Sequence, residues 1–135
     1  MTKGARKADD PEVRVELNFL EGLNNRCPDD ARILKALGDL YTGVGEHQKG
    51  LEVDERLVRL CPDESGVWYN LGCSYALLGR KDDAFRALFK AVELGYVDHD
   101  WMLRDEDLES IRRDTRFRQL LKRVISGDTA SQGSN

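Results

Sequence analysis

The sequence predicts an all-α protein made of antiparallel helix pairs, and three observations support this class. A segment of 34 residues occurs twice without a gap: the segment beginning at Cys27 aligns with the one beginning at Cys61, with nine identical positions. Within each copy, apolar residues recur at the spacing of a helix and not of a strand. A glycine follows each apolar stripe, as is common where helices end. Such a repeat is typical of a helical array.

The composition limits the class of protein further. The chain has 135 residues, of which 40% are hydrophobic and 34% charged, which suits a small core with a large polar surface. The net charge of −4 argues against general nucleic-acid binding, which needs clustered Lys and Arg. No long apolar run predicts a membrane span, and the N-terminal MTKGARKADD lacks the apolar segment of a signal peptide. We therefore expect a cytoplasmic protein.

The second copy of the repeat is expected to form two helices. The first starts after a cap at Asp63 or Ser65 and ends at Gly79, and the second runs from near Lys81 to Gly95. The stripe of the first consists of Val67, Trp68, Leu71, Tyr75 and Leu78. Inside that helix lies Gly72, where glycine costs about 1 kcal/mol relative to alanine. We predict that another helix crosses there too closely for a Cβ atom.

The segments on either side complete a single helical domain over residues 10–126. Asp10-Pro11-Glu12 is a helix start signal, and the helix 11–27 resembles the second half of a repeat whose first half is missing. The repeats occupy 31–62 and 65–96, and capping helices occupy 100–126. The last of these has an apolar stripe that should cover the second repeat: Phe117, Leu120, Leu121 and Val124. The tails 1–9 and 127–135 are expected to be disordered.

These residues resemble the tetratricopeptide-repeat family. Its pattern over 34 residues appears in the second copy as Trp68, Leu71-Gly72, Tyr75, Ala84, Leu88 and Ala91. The first copy has Leu34, Leu37-Gly38, Tyr41 and Pro62 but departs from the pattern at Gly50, Asp54 and Leu57. The stretch 104–121 is similar to a segment that often follows such repeats in bacterial proteins. The resemblance implies a right-handed superhelix of helix pairs that binds peptides or protein segments in a concave groove, without catalysis.

Carried over by position, the resemblance places this groove on the first helix of each repeat. Its members here are Arg32, Lys35, Asp39, Thr42, Tyr69, Asn70, Cys73 and Ala76. The alternative is a solvated face that binds nothing. If the groove interpretation holds, Tyr69 and Asn70 are exposed, and replacing both by Ala should abolish partner capture with little change in melting temperature. A clamp for an acidic C-terminus is not expected, since Asp39 and Asp100 would repel a carboxylate.

The remaining reactive residues do not form a recognisable chemical site. The three cysteines are interpreted as reduced and buried, because an odd number in an unsecreted chain predicts free thiols. A zinc site would need four converging ligands, and His47 and His99 lie in different loops. A calcium loop starting at Asp105 would have Ser110 where glycine is required. We expect no catalytic residue, cofactor or metal.

Three other functions stay open. One is a structural element that associates with itself through the unpaired helix 11–27, although a monomer is expected. Another is contact with an acidic partner or RNA through the basic last helix, which contains Arg112, Arg113, Arg116, Arg118, Lys122 and Arg123. The third is an enzyme with Cys73 as nucleophile, which would need an activating base nearby.

Overall fold

The computed structural model describes residues 7–133, with side chains described as far as residue 126, and its regular elements are helices throughout that range. They are α1 (Pro11–Arg26), α2 (Ala31–Gly43), α3 (His47–Leu60), α4 (Ser65–Leu77), α5 (Lys81–Glu93), α6 (His99–Arg104), a 3₁₀ helix (Glu106–Ile111) and α7 (Thr115–Gly133). The predicted all-α class is confirmed. The chain divides between Pro62 and Asp63 into two compact units.

The predicted helix boundaries differ from the structure at a few points. α1 begins as expected, with Asp10 accepting from the backbone N–H of Glu12, and it ends at Arg26, one residue earlier than expected. The N-cap of α4 is Glu64, without a side-chain cap, so neither Asp63 nor Ser65 has that role. α7 extends to Gly133, beyond the expected boundary at 126, and residues 1–6 and 134–135 of the expected tails lie outside the described residues.

The first unit contains α1, α2 and α3 around a core of leucines. α2 and α3 form the helix pair of the first repeat, and they meet at two glycines. A Cβ atom on Gly38 would lie 3.3 Å from Asp54 Oδ1, and one on Gly50 would lie 3.0 Å from Thr42 Oγ1. The departures of this copy from the family pattern therefore lie inside a packed interface: Gly50, Asp54 and Leu57 are all buried. Close approach explains why glycine replaces the usual alanine at position 50.

The second unit is built on the helix pair α4 and α5, which cross at Gly72. A Cβ atom added there would lie 2.6 Å from Leu88 Cγ and 3.2 Å from the carbonyl oxygen of Ala84, so the predicted close crossing is confirmed. Gly79 and Gly95 follow the two helices with φ values of 76° and 109°, in the left-handed region that glycine adopts without strain.

The C-terminal elements cover this helix pair from two sides. α7 packs on α5 through the predicted stripe, of which Phe117, Leu120 and Val124 are buried and Leu121 is half-buried. The segment made of α6 and the 3₁₀ helix packs on α4 and adds Met102, Leu108 and Ile111 to the same core, each fully buried. We call residues 99–111 the covering segment. Its position decides which face of α4 remains accessible.

Candidate functional site

The first-helix face of repeat one is accessible along most of its length. Arg32, Lys35 and Asp39 are exposed, and Thr42 is half-buried beside Gly50. These residues occupy one side of α2 because their spacing of three to four positions matches the helical turn. We call these four residues the α2 face. This face presents positively and negatively charged side chains within two turns of the helix, as the sequence predicted.

The start of the α2 face is held in place by the helix cap. The Asp30 side chain accepts from the backbone N–H of Arg32 over 2.9 Å, and its second oxygen lies 3.0 Å from Arg32 Nη2. These hydrogen bonds from Arg32 keep the pKa of the Asp30 carboxyl below its ordinary value. The Arg32 side chain is nonetheless 92% exposed, so its guanidinium can still contact a second molecule.

The first-helix face of repeat two differs sharply, and here the expectation from the sequence is wrong in part. Tyr69, Cys73 and Ala76 were expected to border an open groove, but each is buried, with 4% or less of its surface exposed. Asn70 is exposed, as expected. The three buried residues lie against the covering segment, which occupies the space that a ligand of this face would need.

Asp105 is the centre of the contact between α4 and the covering segment. Its carboxylate is fully buried; one oxygen accepts from the Tyr69 hydroxyl over 2.7 Å and the other accepts from the backbone N–H of Asp107 over 3.0 Å. The Cys73 thiol lies 3.8 Å from the oxygen that Tyr69 contacts. A buried carboxyl group is tolerated when its oxygens accept hydrogen bonds in this way. The sequence interpretation treated Asp105 only as one acid among several and missed this role.

Further contacts stabilise the packing around Tyr69 and between α4 and the covering segment. The rings of Tyr69 and Tyr96 stack with their centroids 4.2 Å apart and their planes within 2° of parallel. The Ser110 hydroxyl donates to the carbonyl oxygen of Ala76 over 3.1 Å, and Arg112 donates to the carbonyl oxygen of Asp105 over 2.6 Å. Burial, followed by the nearby Cys73 and the bond to Asp105, raises the pKa of Tyr69 far above its ordinary value. Tyr69 is thus a neutral hydrogen-bond donor at any physiological pH.

The two repeats place different residues at equivalent positions of their first helices. The offset of 34 aligns Lys35 with Tyr69, Asp39 with Cys73, and Thr42 with Ala76. In repeat two these positions form a surface on which a short helical segment of the same chain packs. In repeat one the first two positions are charged and exposed. The two repeats therefore differ at these positions: Lys35 and Asp39 are exposed, whereas Tyr69 and Cys73 are buried.

The three cysteines are free thiols, as predicted, but they are not all buried. Cys27 is exposed, Cys61 is half-buried and Cys73 is buried. Cys27 was expected to be buried, but it is the C-cap residue of α1. Its backbone N–H donates to the carbonyl oxygen of Leu23, and this contact leaves the side chain exposed. Cys73 is only 4% exposed and its thiol lies beside the Asp105 carboxyl, whereas a nucleophilic cysteine needs exposure and an activating base or cation.

Cys73, Asp105 and Asp107 form a small group of ligand atoms within 4.8 Å of one another. These three residues are of the types that bind metals. The oxygens of Asp105, however, already accept hydrogen bonds from the Tyr69 hydroxyl and from the backbone N–H of Asp107. The group is best explained as part of the contact that holds the covering segment.

Two of the arginines expected in the basic last helix form contacts within their own unit; Arg116 lies in α7, whereas Arg112 and Arg113 precede that helix. Arg116 pairs with Asp114 at 2.9 Å and with Asp82 at 2.7 Å, and its guanidinium lies 4.5 Å from the centre of the Phe85 ring. Arg112 is bound to the backbone of Asp105. Phe117 is buried, so it cannot stack on a nucleic-acid base. These contacts reduce the positive surface that an acidic partner or RNA would need.

Comparisons with known proteins place the chain among helical-repeat proteins. Its fold superposes on the solved structure described as MamA MSR-1 C2 with a TM-score of 0.66 and 18% sequence identity, covering 93% of this chain and 71% of that one. No protein-family model matches the chain. Within the described residues, no helix is both long enough and apolar enough to cross a membrane.

Three curated proteins are similar in sequence over part of their length. The chain is 33% identical over 114 residues to a chloroplastic protein of Arabidopsis thaliana, a match that covers 82% of the chain and 33% of that protein. It is 28% and 31% identical to the peroxisomal targeting signal receptors of Saccharomyces cerevisiae and Candida albicans, over 63% and 58% of the chain. These matches cover 14% and 13% of the receptors. The chain thus spans a third or less of each relative.

The fold is that of a protein with antiparallel helix pairs, one in each unit, repeated at an offset of 34 residues. The structural similarity to MamA and the sequence similarity to the peroxisomal targeting signal receptors support the tetratricopeptide-repeat resemblance that the sequence motifs indicate. The residues at the positions of the repeat pattern form the predicted helix packing. Gly72 and Leu88 meet at the helix crossing, and Ala84 and Ala91 are fully buried.

Proposed function

We propose that the chain is a non-catalytic protein-interaction module that binds a protein or peptide segment on the α2 face. The single observation that supports this best is the contrast between the repeats: Lys35 and Asp39 are exposed, whereas their counterparts Tyr69 and Cys73 are covered by a segment of the same chain. The second repeat provides an internal example of the interaction, since a short helical segment packs on the same face of α4.

The chemistry of the α2 face indicates the kind of segment it would bind. Arg32 and Lys35 supply cationic donors, Asp39 supplies an acceptor, and Thr42 lies one turn further along. A segment with both an acidic and a basic residue complements this face better than a purely acidic tail, which Asp39 would repel. Asn70, a predicted groove residue of the second unit, is exposed, and its role in binding stays a prediction.

A displayed peptide library selected on the intact chain tests this proposal. Peptides enriched by the chain would be measured for affinity to Lys35→Ala with Asp39→Ala, a double change that leaves the net charge unaltered. We expect at least about tenfold weaker binding, equivalent to about 1.4 kcal/mol. The matched control is Glu52→Ala with Arg59→Ala, which removes one acid and one base from exposed positions of α3 in the same unit.

The control should bind as the parent does, and both variants should melt like the parent, because exposed side chains contribute little to stability. Equal loss in both double variants, or no loss in either, would contradict the proposal. Loss of binding only when Arg118 and Lys122 of α7 are changed to Ala would favour that helix as the binding surface. A cytoplasmic location stays a prediction.

A further inference from the structure

The outer face of α1 is the most exposed apolar surface on the described part of the chain. Val15 and Phe19, one helical turn apart, are 69% and 64% exposed. Gly22 follows on the same side, and a Cβ atom there would have no neighbour within 4 Å. The opposite side of α1 is anchored in the first unit through Val13, which is 1% exposed. An aromatic residue this exposed costs free energy unless another surface covers it.

The repeat offset shows what normally covers this position. Phe19 aligns with Val53 in α3 and with Ala87 in α5, both of which are buried. Val53 Cγ1 lies 3.4 Å from the place of a Cβ on Gly38, so this position packs against the first helix of its own repeat. Within the described residues no helix precedes α1 to do the same for Phe19. The exposed side of α1, which contains Val15, Phe19 and Gly22, is therefore suited to packing against another helix.

The charges at the two ends of this face indicate which helix fits it. Glu12 lies in the first turn of α1 and Arg26 in the last, each seven residues from Phe19 and each exposed. Seven residues are close to two helical turns, so all three residues lie on one side. A second α1 running antiparallel, with the two-fold axis at Phe19, places Glu12 of each copy opposite Arg26 of the other.

The same register pairs the apolar residues. Phe19 meets its own counterpart at the axis, and Val15 lies opposite the half-buried Leu23. A two-fold interface requires a surface that is complementary to itself, and an acid and a base equidistant from an aromatic residue meet that requirement. A helix from a different protein would not require Glu12 and Arg26 to lie at equal distances from Phe19.

We propose that α1 is a homodimer interface, in which two copies of the chain pack antiparallel helices about Phe19 with reciprocal Glu12–Arg26 pairs. This goes beyond peptide binding by the α2 face and does not depend on it. It differs from the monomer that the sequence predicted. The interface covers the position that, in both complete repeats, is covered by a neighbouring helix.

Sedimentation equilibrium of the full chain at rising concentration tests the interface. The parent should show a concentration-dependent dimer. Phe19→Asp should shift the chain to monomer at every concentration at which the parent dimerises. Val97→Asp is the matched control, since Val97 is an exposed apolar residue of the second unit, and it should dimerise like the parent. Circular dichroism melting would show that both variants are folded.

A charge exchange tests the antiparallel register independently of Phe19. Glu12→Arg and Arg26→Glu should each weaken dimerisation about tenfold, because each single change creates two like-charged pairs in the dimer. The two changes together should restore it, although they disfavour the helix dipole of α1. Failure of the double variant to recover would overturn the register.

Other outcomes overturn the proposal as a whole. A parent chain that stays monomeric throughout excludes the dimer, as does a dimer that survives Phe19→Asp. A monomer whose Phe19 face binds the helix of a different protein would make α1 a docking surface for another partner, and not for a second copy.

Discussion

The Tyr69 hydroxyl donates a hydrogen bond of 2.7 Å to a carboxylate oxygen of Asp105, and both residues are buried. This contact joins the first helix of repeat two to the covering segment, 36 positions further along the chain. It helps to hold the covering segment over Tyr69 and Cys73 of α4, and this contrast with the exposed Lys35 and Asp39 supports the proposal that the α2 face binds a partner.

Tyr69→Phe should destabilise the protein by about 1–3 kcal/mol, because it leaves a buried carboxylate oxygen without its main donor. The ring and its stacking on Tyr96 remain, so the loss reports the hydroxyl alone. Thermal or urea unfolding would measure it. This replaces the expectation that Tyr69 can be altered at no cost in stability.

A double-mutant cycle with Asp105→Asn checks that the two groups act together. The Asn side chain keeps the shape but replaces one of the two acceptor oxygens of Asp105 with an amide NH2 group. If the two residues are coupled, the double variant should lose less stability than the two single losses added together. Strictly additive losses would mean that the hydrogen bond contributes nothing of its own.

Gly72→Ala should destabilise, although alanine favours the helix by about 1 kcal/mol. The new methyl would overlap Leu88 Cγ at 2.6 Å and approach the Ala84 carbonyl oxygen at 3.2 Å, so α4 and α5 must move apart. Overpacking of this kind costs about 1–3 kcal/mol. Gly66→Ala is the matched control in the same helix, where a Cβ meets nothing within 4 Å, and that variant should be at least as stable as the parent.

Removing residues 96–135 should prevent the second unit from folding cooperatively. The fragment 1–95 lacks six buried side chains that cover α4 and α5: Met102, Leu108, Ile111, Phe117, Leu120 and Val124. Each contributes about 1.5–3 kcal/mol of burial before entropy is subtracted. The fragment 1–126 keeps all six and should melt close to the full chain. Equal melting of the fragments 1–95 and 1–126 would show that the C-terminal elements do not stabilise the repeat.

Acid should remove a contribution of Asp114 to stability. Hydrogen bonds from Arg116 lower the pKa of the Asp114 carboxyl from 3.8 to about 2 in the folded protein. A lowered folded-state pKa gives stability that is fully present above the unfolded value and is lost as pH falls through the folded value. The melting temperature of the parent should therefore approach that of Asp114→Asn between pH 3.8 and about 2. A constant difference over that range would rule out the ion pair as its cause.

Much of the fold could be predicted from the sequence, because its signals are local and repeated. The Cys27–Cys61 offset fixed the helix pairs, and Gly72 indicated the close crossing, since a costly glycine inside a helix needs a packing reason. The stripe around Phe117 identified the terminal helix that covers α5. Each of these inferences needs only periodicity and residue size.

The candidate site could be predicted only in part. The family resemblance predicted that Tyr69 and Asn70 border a groove, but the sequence did not show what packs on Tyr69. The covering segment does not follow the repeat, and its position depends on tertiary packing of Met102, Leu108 and Ile111. The available signal was the set of apolar residues at 102, 108 and 111 around Asp105, which indicates a buried segment with a buried acid.

The most direct test of the central claim is to map the binding surface by NMR, using a peptide selected on the intact chain and following backbone amide shifts during titration. The largest changes should fall in α2, at and around Arg32, Lys35 and Asp39, while the amides of Tyr69, Cys73 and Ala76 should shift little because the covering segment stays in place. Changes concentrated in residues 112–123, or in α4 together with release of the covering segment, would contradict the assignment of the α2 face.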